Sequence, residues 1–175
     1  MSQIAGLEIR HGTVDDAELL SELGARTFSE TFAADNTEED LASYLAASFS
    51  VAQQTAELED PAATFLVAEV DGRAAGYAKL RDGAPEKGVE GANPVEIVRL
   101  YVGREWLGRG LGAELMRACL DEARRTGHET IWLGVWERNE RAQTFYRKWD
   151  FRPVGEHMFQ LGADLQRDIL MARPV

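Results

Sequence analysis

The stretch Leu107-Gly108-Arg109-Gly110-Leu111-Gly112 lies between an apolar, β-branched run, Val95 to Val102, and an amphipathic one, Leu111 to Arg125. This spelling predicts a strand that leaves through a glycine-rich turn and enters a helix. Glycines at alternate positions permit dihedrals that a side chain forbids and let the main chain come close to a ligand. The helix start adds unpaired N–H groups and the positive end of a dipole, so a pyrophosphate can bind there without a dedicated basic residue. A turn that only packs the helix onto a sheet has the same spacing, and the glycines alone leave both readings open. Two other phosphate-binding patterns are excluded. No Gly-Lys-Ser/Thr ending is present, and the third glycine comes one residue too early for the dinucleotide fingerprint.

Upstream of this turn, Leu7 to His11 alternates as a first strand, and Thr13 is the expected cap of a helix bearing Val14, Ala17, Leu20, Leu23 and Phe28. A second helix is expected from Thr37, with Thr37 and Asp40 as a capping pair and Leu41, Tyr44, Leu45 and Phe49 as its buried stripe. A third covers Ala52 to Leu58. Thr64 to Val70 and Ala74 to Leu80 read as strands joined by a tight turn at Asp71-Gly72, followed by a loop from Asp82 to Pro94. Downstream, Thr130 to Val135 reads as a strand and Glu140 to Trp149 as a short helix. Phe151 to Gln160 and Gln166 to Ala172 read as a hairpin across Gly162 to Asp164. Strands in a row thus flank a strand, helix, strand, helix unit, which predicts an α/β fold with a sheet part antiparallel and part parallel.

The 175 residues, 45% hydrophobic and 28% charged, suit one domain with a real core. No run approaches the roughly eighteen apolar residues of a membrane span, and Met1 to His11 lacks a leader pattern, so a cytoplasmic protein without membrane contact is expected. The single cysteine, Cys119, falls at helical spacing from Leu111 and Leu115 and reads as a small buried apolar group. His11, His128 and His157 are too scattered for a metal site, and none is expected. Formal net charge is −11, and the entire excess lies in the first sixty residues, where Arg10 and Arg26 face thirteen acids. Such a surface aids solubility or attracts a cationic substrate, and with a pI near 4.8 it disfavours nucleic acid.

The run from Val95 to Phe159 resembles the acetyl-CoA half of the GNAT superfamily of N-acetyltransferases. The likeness rests on the strand Glu96-Ile97-Val98-Arg99-Leu100-Tyr101-Val102, the glycine turn, a helix, the strand Ile131 to Val135, Asn139, and Phe145-Tyr146-Arg147-Lys148-Trp149-Asp150-Phe151. Within that superfamily, Trp132-Leu133-Gly134-Val135-Trp136-Glu137-Arg138-Asn139 is similar to the PaiA-like spermine/spermidine branch, as are Thr27 to Phe32 and Asn36 to Leu41. The resemblance implies the GNAT fold, a mixed, mostly antiparallel central sheet of about seven strands with helices on both faces. It implies one domain, residues 1–175, with 1–94 on the acceptor side and 95–175 binding acetyl-CoA.

Carried over residue by residue, the resemblance implies that Leu100, Tyr101 and Val102 offer backbone groups to the pantetheine arm. Leu107, Gly108, Arg109, Gly110, Leu111 and Gly112 would hold the pyrophosphate, Asn139 would contact pantetheine, and Lys148 or Arg109 the adenosine-end phosphates. Two departures stand out. Leu107 replaces a common Gln or Arg, and Asp150 replaces a glycine, where Asp still tolerates a left-handed backbone. Acyl transfer to an amine needs a neutral amine, stabilisation of charge on the carbonyl oxygen, and a proton for the thiolate. Tyr146 is the expected donor and Glu96 the expected base, directly or through water; without the resemblance Tyr146 reads as an aromatic filling the core, and Glu96 reads equally as a structural or solvated carboxylate. Phe28, Phe32 and Trp136 are expected to line a pocket for a primary amine, in first place a polyamine or other cationic small molecule. Peptide N-termini, amino acids and antibiotics are the alternative acceptors, a cofactor-binding sensor is the alternative class, and a homodimer is left open.

Overall fold

Residues 4–175 are described in this computed structural model of the protein. β1 (Leu7–His11) passes through an extended Thr13 into a short 3₁₀ turn before α1 (Ala17–Phe32) begins. The regular helix thus starts later than Thr13 predicts. Asp16 accepts the Thr13 N–H at 2.8 Å and is itself gripped by Arg10, which tightens this turn and leaves Val14 48% exposed instead of in the core. Thr37 caps α2 (Glu38–Ser48) by accepting the Asp40 N–H at 3.1 Å, and Ser50 does the same for α3 (Val51–Glu59) through Gln53. The α2 stripe is only half-buried, with Phe49 beyond its end fully inside.

Asp71 and Gly72, both at positive φ, form the two-residue turn between β2 (Ala63–Val70) and β3 (Arg73–Asp82). The side chains of β2 alternate between two cores: Phe65 and Val67 pack with Leu20 and Leu23 of α1, while Leu66, Ala68 and Val70 face the opposite layer. β4 (Pro94–Val102) follows a loop, and the glycine turn leads into α4 (Leu111–Arg125). α4 lays Leu111, Leu115, Met116, Cys119 and Ala123 on the sheet, all without solvent exposure. Each aliphatic side chain so buried is worth about 1.5–3 kcal/mol. Cys119 is, as expected, a buried apolar group, and burial pushes its thiol up to about 12.

β5 (Thr130–Trp136), α5 (Glu140–Lys148), β6 (Arg152–Leu161) and β7 (Asp164–Pro174) complete the chain. Asp150 takes the left-handed backbone at φ 66 that its position demands. The seven strands form one sheet in the order β1-β2-β3-β4-β5-β7-β6, with α1 and α3 against one face and α4 and α5 against the other. Neighbours pair antiparallel except β4 and β5, whose shared direction requires the crossover that α4 supplies. The predicted mixed, mostly antiparallel sheet with helices on both faces is the observed one.

The β4–β5 ladder is short. It joins Pro94 to Thr130, Val95 to Ile131 and Glu96 to Trp132, and stops, although both strands continue. On its other edge β4 carries a bulge: Arg99 pairs with Lys79 and Ile97 with Leu80, so Val98 is the extra residue. A bulge bends its strand and sharpens the twist. Here it turns β4 away from β5 just above the last shared rung, and a V-shaped gap opens in the middle of the sheet.

Candidate functional site at the parting of two strands

Two cavities meet in this gap. The larger, of about 950 Å³, runs from Leu100, Tyr101 and Val102 past the glycine turn to Tyr146 and Lys148. Gly108 and Gly110 adopt φ 74 and φ 90, and Gly110 is the residue before the first turn of α4. Glu114 is the first amide of the helix to find a main-chain acceptor, Gly110 O at 3.2 Å, so the preceding N–H groups are free at the cavity mouth. Together with the dipole of a fifteen-residue helix, they make an anion seat.

The larger cavity gathers most residues expected there: Leu100, Tyr101, Val102, Leu107, Gly108, Gly110, Gly112, Asn139, Tyr146 and Lys148. Two expected side chains lie elsewhere. Arg109 stacks over the Trp106 ring at 4.8 Å and leans toward the Glu105 carbonyl, outside the lining. Leu111 is wholly buried under α4, so only its backbone faces the turn. Arg104 and Arg141 border the cavity instead, and no motif singles them out. Asn139 caps α5 by accepting the Ala142 N–H at 3.1 Å, which engages its oxygen, and the residue lines both cavities.

Tyr146 packs edge-on against Phe145 and Phe151 and borders both cavities. Burial raises its phenol above the usual range, so it is protonated at neutral pH. It can donate a hydrogen bond to a thiolate. Full transfer to one whose acid ionises near 8.5 runs uphill.

The smaller cavity, of about 280 Å³, lies on the α1 side of the gap and is lined by Phe28, Phe32, Tyr44, Trp136, Glu96, Arg99, His157 and Asp168, among others. Phe28 stacks on Tyr44 at 4.5 Å and is only 2% exposed, so it is core and wall at once, whereas half-buried Phe32 bridges to Trp136 at 5.4 Å. Glu96 occupies the last rung, and burial raises its carboxyl. Asp168 and His157 were not anticipated. In the sequence they are one polar residue each in an alternating hairpin; the ladder of β7 on β5 brings Asp168 opposite Trp136. Burial pushes Asp168 up to about 6.

Below the cavity, Glu57 of α3 is paired with Lys79 of β3 and Arg99 of β4, the latter at 3.1 Å. Burial pushes the Glu57 carboxyl up, but Arg99 and Lys79 outweigh it and hold it below its usual value. Of the two readings of the acid excess in the first sixty residues, the cavities draw little on the second. Glu57 is consumed in this triad, Asp16 by Arg10, and Asp40 by the Ala163 N–H; of those acids Glu30 alone borders either cavity. The carboxylates of the smaller cavity, Glu96 and Asp168, come from the later half. Residues from both sides of position 94 line both cavities.

Among the described residues no helix is long and apolar enough to cross a membrane, and no three His, Cys, Asp or Glu side chains cluster to hold a metal ion.

Residues 25–151 match the model of the acetyltransferase (GNAT) family. An uncharacterized N-acetyltransferase encoded in the pepI 3′ region of Lactobacillus delbrueckii subsp. lactis is 34% identical over 171 residues, 97% of this chain and 98% of its own length. An uncharacterized N-acetyltransferase of Mycobacterium bovis is 37% identical over 158 residues, 90% of this chain and 97% of its own. Among solved structures, the PaiA N-acetyltransferase of Thermoplasma acidophilum in complex with coenzyme A superposes with a TM-score of 0.79 at 22% identity, covering 98% of this chain and 100% of that one.

Proposed function

Since this chain belongs to the acetyltransferase (GNAT) family, we propose that it moves the acetyl group of acetyl-CoA directly to a primary amine of a polyamine or similar cationic small molecule. The observation that carries the reading is the coincidence of two features: free amides and left-handed glycines at the start of α4, and the gap that opens beside them between β4 and β5. The cavity at that mouth has the size of a cofactor site. Acetyl-CoA supplies an activated thioester carbonyl. Gly108, Gly110, Leu111 and Gly112 would hold its diphosphate by main-chain N–H groups, while the Leu107 and Arg109 amides, bonded to the Arg104 and Trp106 carbonyls, fix the turn; Lys148 would lie near the outer phosphates, with Arg104 and Arg141 in the part expected of Arg109.

Residues of β4 above the last rung have no β5 partner, so main-chain groups near Leu100 and Tyr101 are free to meet pantetheine and the carbonyl oxygen. Asn139 would offer its amide nitrogen, and Tyr146 a hydrogen bond to the departing sulfur. The acceptor side supports a cation. Aromatic walls from Phe28, Phe32 and Trp136 suit methylene segments and ammonium groups, and Glu96 and Asp168 are two carboxylates within one small cavity. Both are candidates for the proton acceptor, Glu96 from the sequence and Asp168 from the geometry.

The test is calorimetry with coenzyme A, followed by release of free thiol from acetyl-CoA across an amine panel. Binding followed by turnover with spermidine supports the proposal. Turnover restricted to peptides or amino acids would replace the acceptor, and tight binding with no turnover would make the protein a sensor.

A further inference from the structure

Resting on that reading, we propose that Asp168, rather than Glu96, takes the proton from the acceptor amine and passes it to solvent through His157. Height along the sheet favours Asp168. Glu96 is level with Trp132 on the last shared rung. The thioester must enter four residues further on, near Leu100 and Trp136, about 13 Å along the strands at a rise of roughly 3.3 Å per residue. Asp168 is the ladder partner of Trp136 and its carboxylate reaches back over Gly134, so it stands nearer that level than Glu96 does.

Access favours it too. Gly134 is exposed although its neighbours Leu133 and Val135 are buried, so β5 presents bare main chain to the cavity at this one position. A methyl group there would lie 3.3 Å from Asp168 Oδ2 and 3.4 Å from His157 Nε2, so both polar atoms hang over the opening that glycine leaves. Asp168 Oδ2 and His157 Nε2 are 3.5 Å apart. The carboxylate side chain is 13% exposed and the imidazole 31%, which orders the pair from cavity to solvent. Nε2 is buried without a hydrogen-bond partner of its own.

The charged and titratable groups facing Asp168 are Glu96, Arg99 and Tyr101 from β4, Tyr44 from α2, Tyr146 from α5 and His157 from β6. Burial puts the Asp168 carboxyl at about 6, close to the range a base working at neutral pH requires. The step balances as follows. One N–H proton of the ammonium goes to Asp168, then to His157 and water; the nitrogen lone pair forms the C–N bond as the C–S bond breaks. The second N–H proton ends on the sulfur, so one free thiol and one solvent proton result.

The experiment compares kcat/KM against pH for wild type, Asp168→Asn, His157→Gln and Glu96→Gln, with spermidine and acetyl-CoA, alongside coenzyme A affinity. Asp168→Asn should lose about 10²-fold in kcat at neutral pH, keep its coenzyme A affinity, and recover as pH rises and the amine deprotonates by itself. His157→Gln should lose less and keep the same sign. Glu96→Gln should raise KM and leave the acid limb of the profile in place. An unchanged acid limb in Asp168→Asn, or its disappearance in Glu96→Gln, would overturn the inference while leaving the transferase reading intact. No turnover by wild type with any amine would remove both. If Asp168→Asn does not fold, the carboxyl titration of Asp168 by NMR decides: coupling to His157 and displacement on spermidine binding are expected, and indifference to the amine overturns the proposal.

Discussion

Glu96 faces Trp132 across the last rung that β4 and β5 share, and above that rung no pair joins them. The bulge at Val98 sits immediately beyond, on the opposite edge of β4. A single extra residue thus bends the strand away from its parallel neighbour and creates the space in which an acyl group and an amine can meet. The crossover helix that parallel pairing demands begins at the mouth of that space.

Gly110 holds φ 90, which costs an L-residue about 1–2 kcal/mol. Gly110→Ala should therefore weaken coenzyme A binding by about tenfold and lower Tm slightly, as read by calorimetry and a thermal melt. Unchanged affinity would mean that the turn serves packing only.

Tyr146 borders both cavities with its phenol protonated. Tyr146→Phe should reduce kcat by about 10²-fold and leave the coenzyme A Kd unaltered. Equal losses in both quantities would return Tyr146 to the role of a core aromatic.

The acceptor wall divides by burial. Phe28, 2% exposed, should cost about 3–5 kcal/mol of stability when cut to Ala, as core phenylalanines do. Phe32→Ala should instead raise the KM for the amine with a small change in Tm. Chemical denaturation and steady-state kinetics separate the two, and a reversed pattern would contradict this assignment.

Glu57 joins two cations where all three side chains are largely covered. Glu57→Ala strands Lys79 and Arg99 and should cost about 3–5 kcal/mol, while Lys79→Met should cost less because Arg99 keeps its partner. The Glu57 carboxyl is held below its usual value in the folded state, so its contribution is complete above the unfolded pKa and is lost as pH falls through the folded one. Denaturation midpoints between pH 7 and pH 3 should follow that order.

Asp168 acts in the opposite sense. Its carboxyl rises from 3.8 to about 6 on folding, so the folded chain binds more protons between those values and loses stability as pH climbs through them. Asp168→Asn should then be more stable than wild type at pH 7, by up to about 3 kcal/mol, although slower as an enzyme. A variant that is both slower and less stable would indicate a structural role.

Local chemistry made much of this legible. Asp71-Gly72, the Thr37 cap, the α4 stripe and the left-handed Asp150 each depend on residues a few positions apart, and each is found where its spelling predicts. The departure at Val14 has the same scale: Asp16, held by Arg10 from the neighbouring strand, tightens a turn that Thr13 alone would open as a helix. What the sequence hid is long-range. Asp168 and Glu96 are seventy-two positions apart and share a cavity only because β7 returns to lie beside β5. Arg109 fits the motif, but its guanidinium lies over the Trp106 ring, a contact three residues away that the spacing does not announce. The acidic excess of the first sixty residues does not reveal in the sequence which acids are surface and which are engaged as ion-pair partners and turn acceptors within the fold.

Unpaired strand margins are the places where sheets recruit foreign chains and aggregate. Here the margins exposed by the parting of β4 and β5 are interior, with α1 on one side and α5 on the other. The protein therefore keeps sticky main chain available to a small visitor while denying it to another polypeptide.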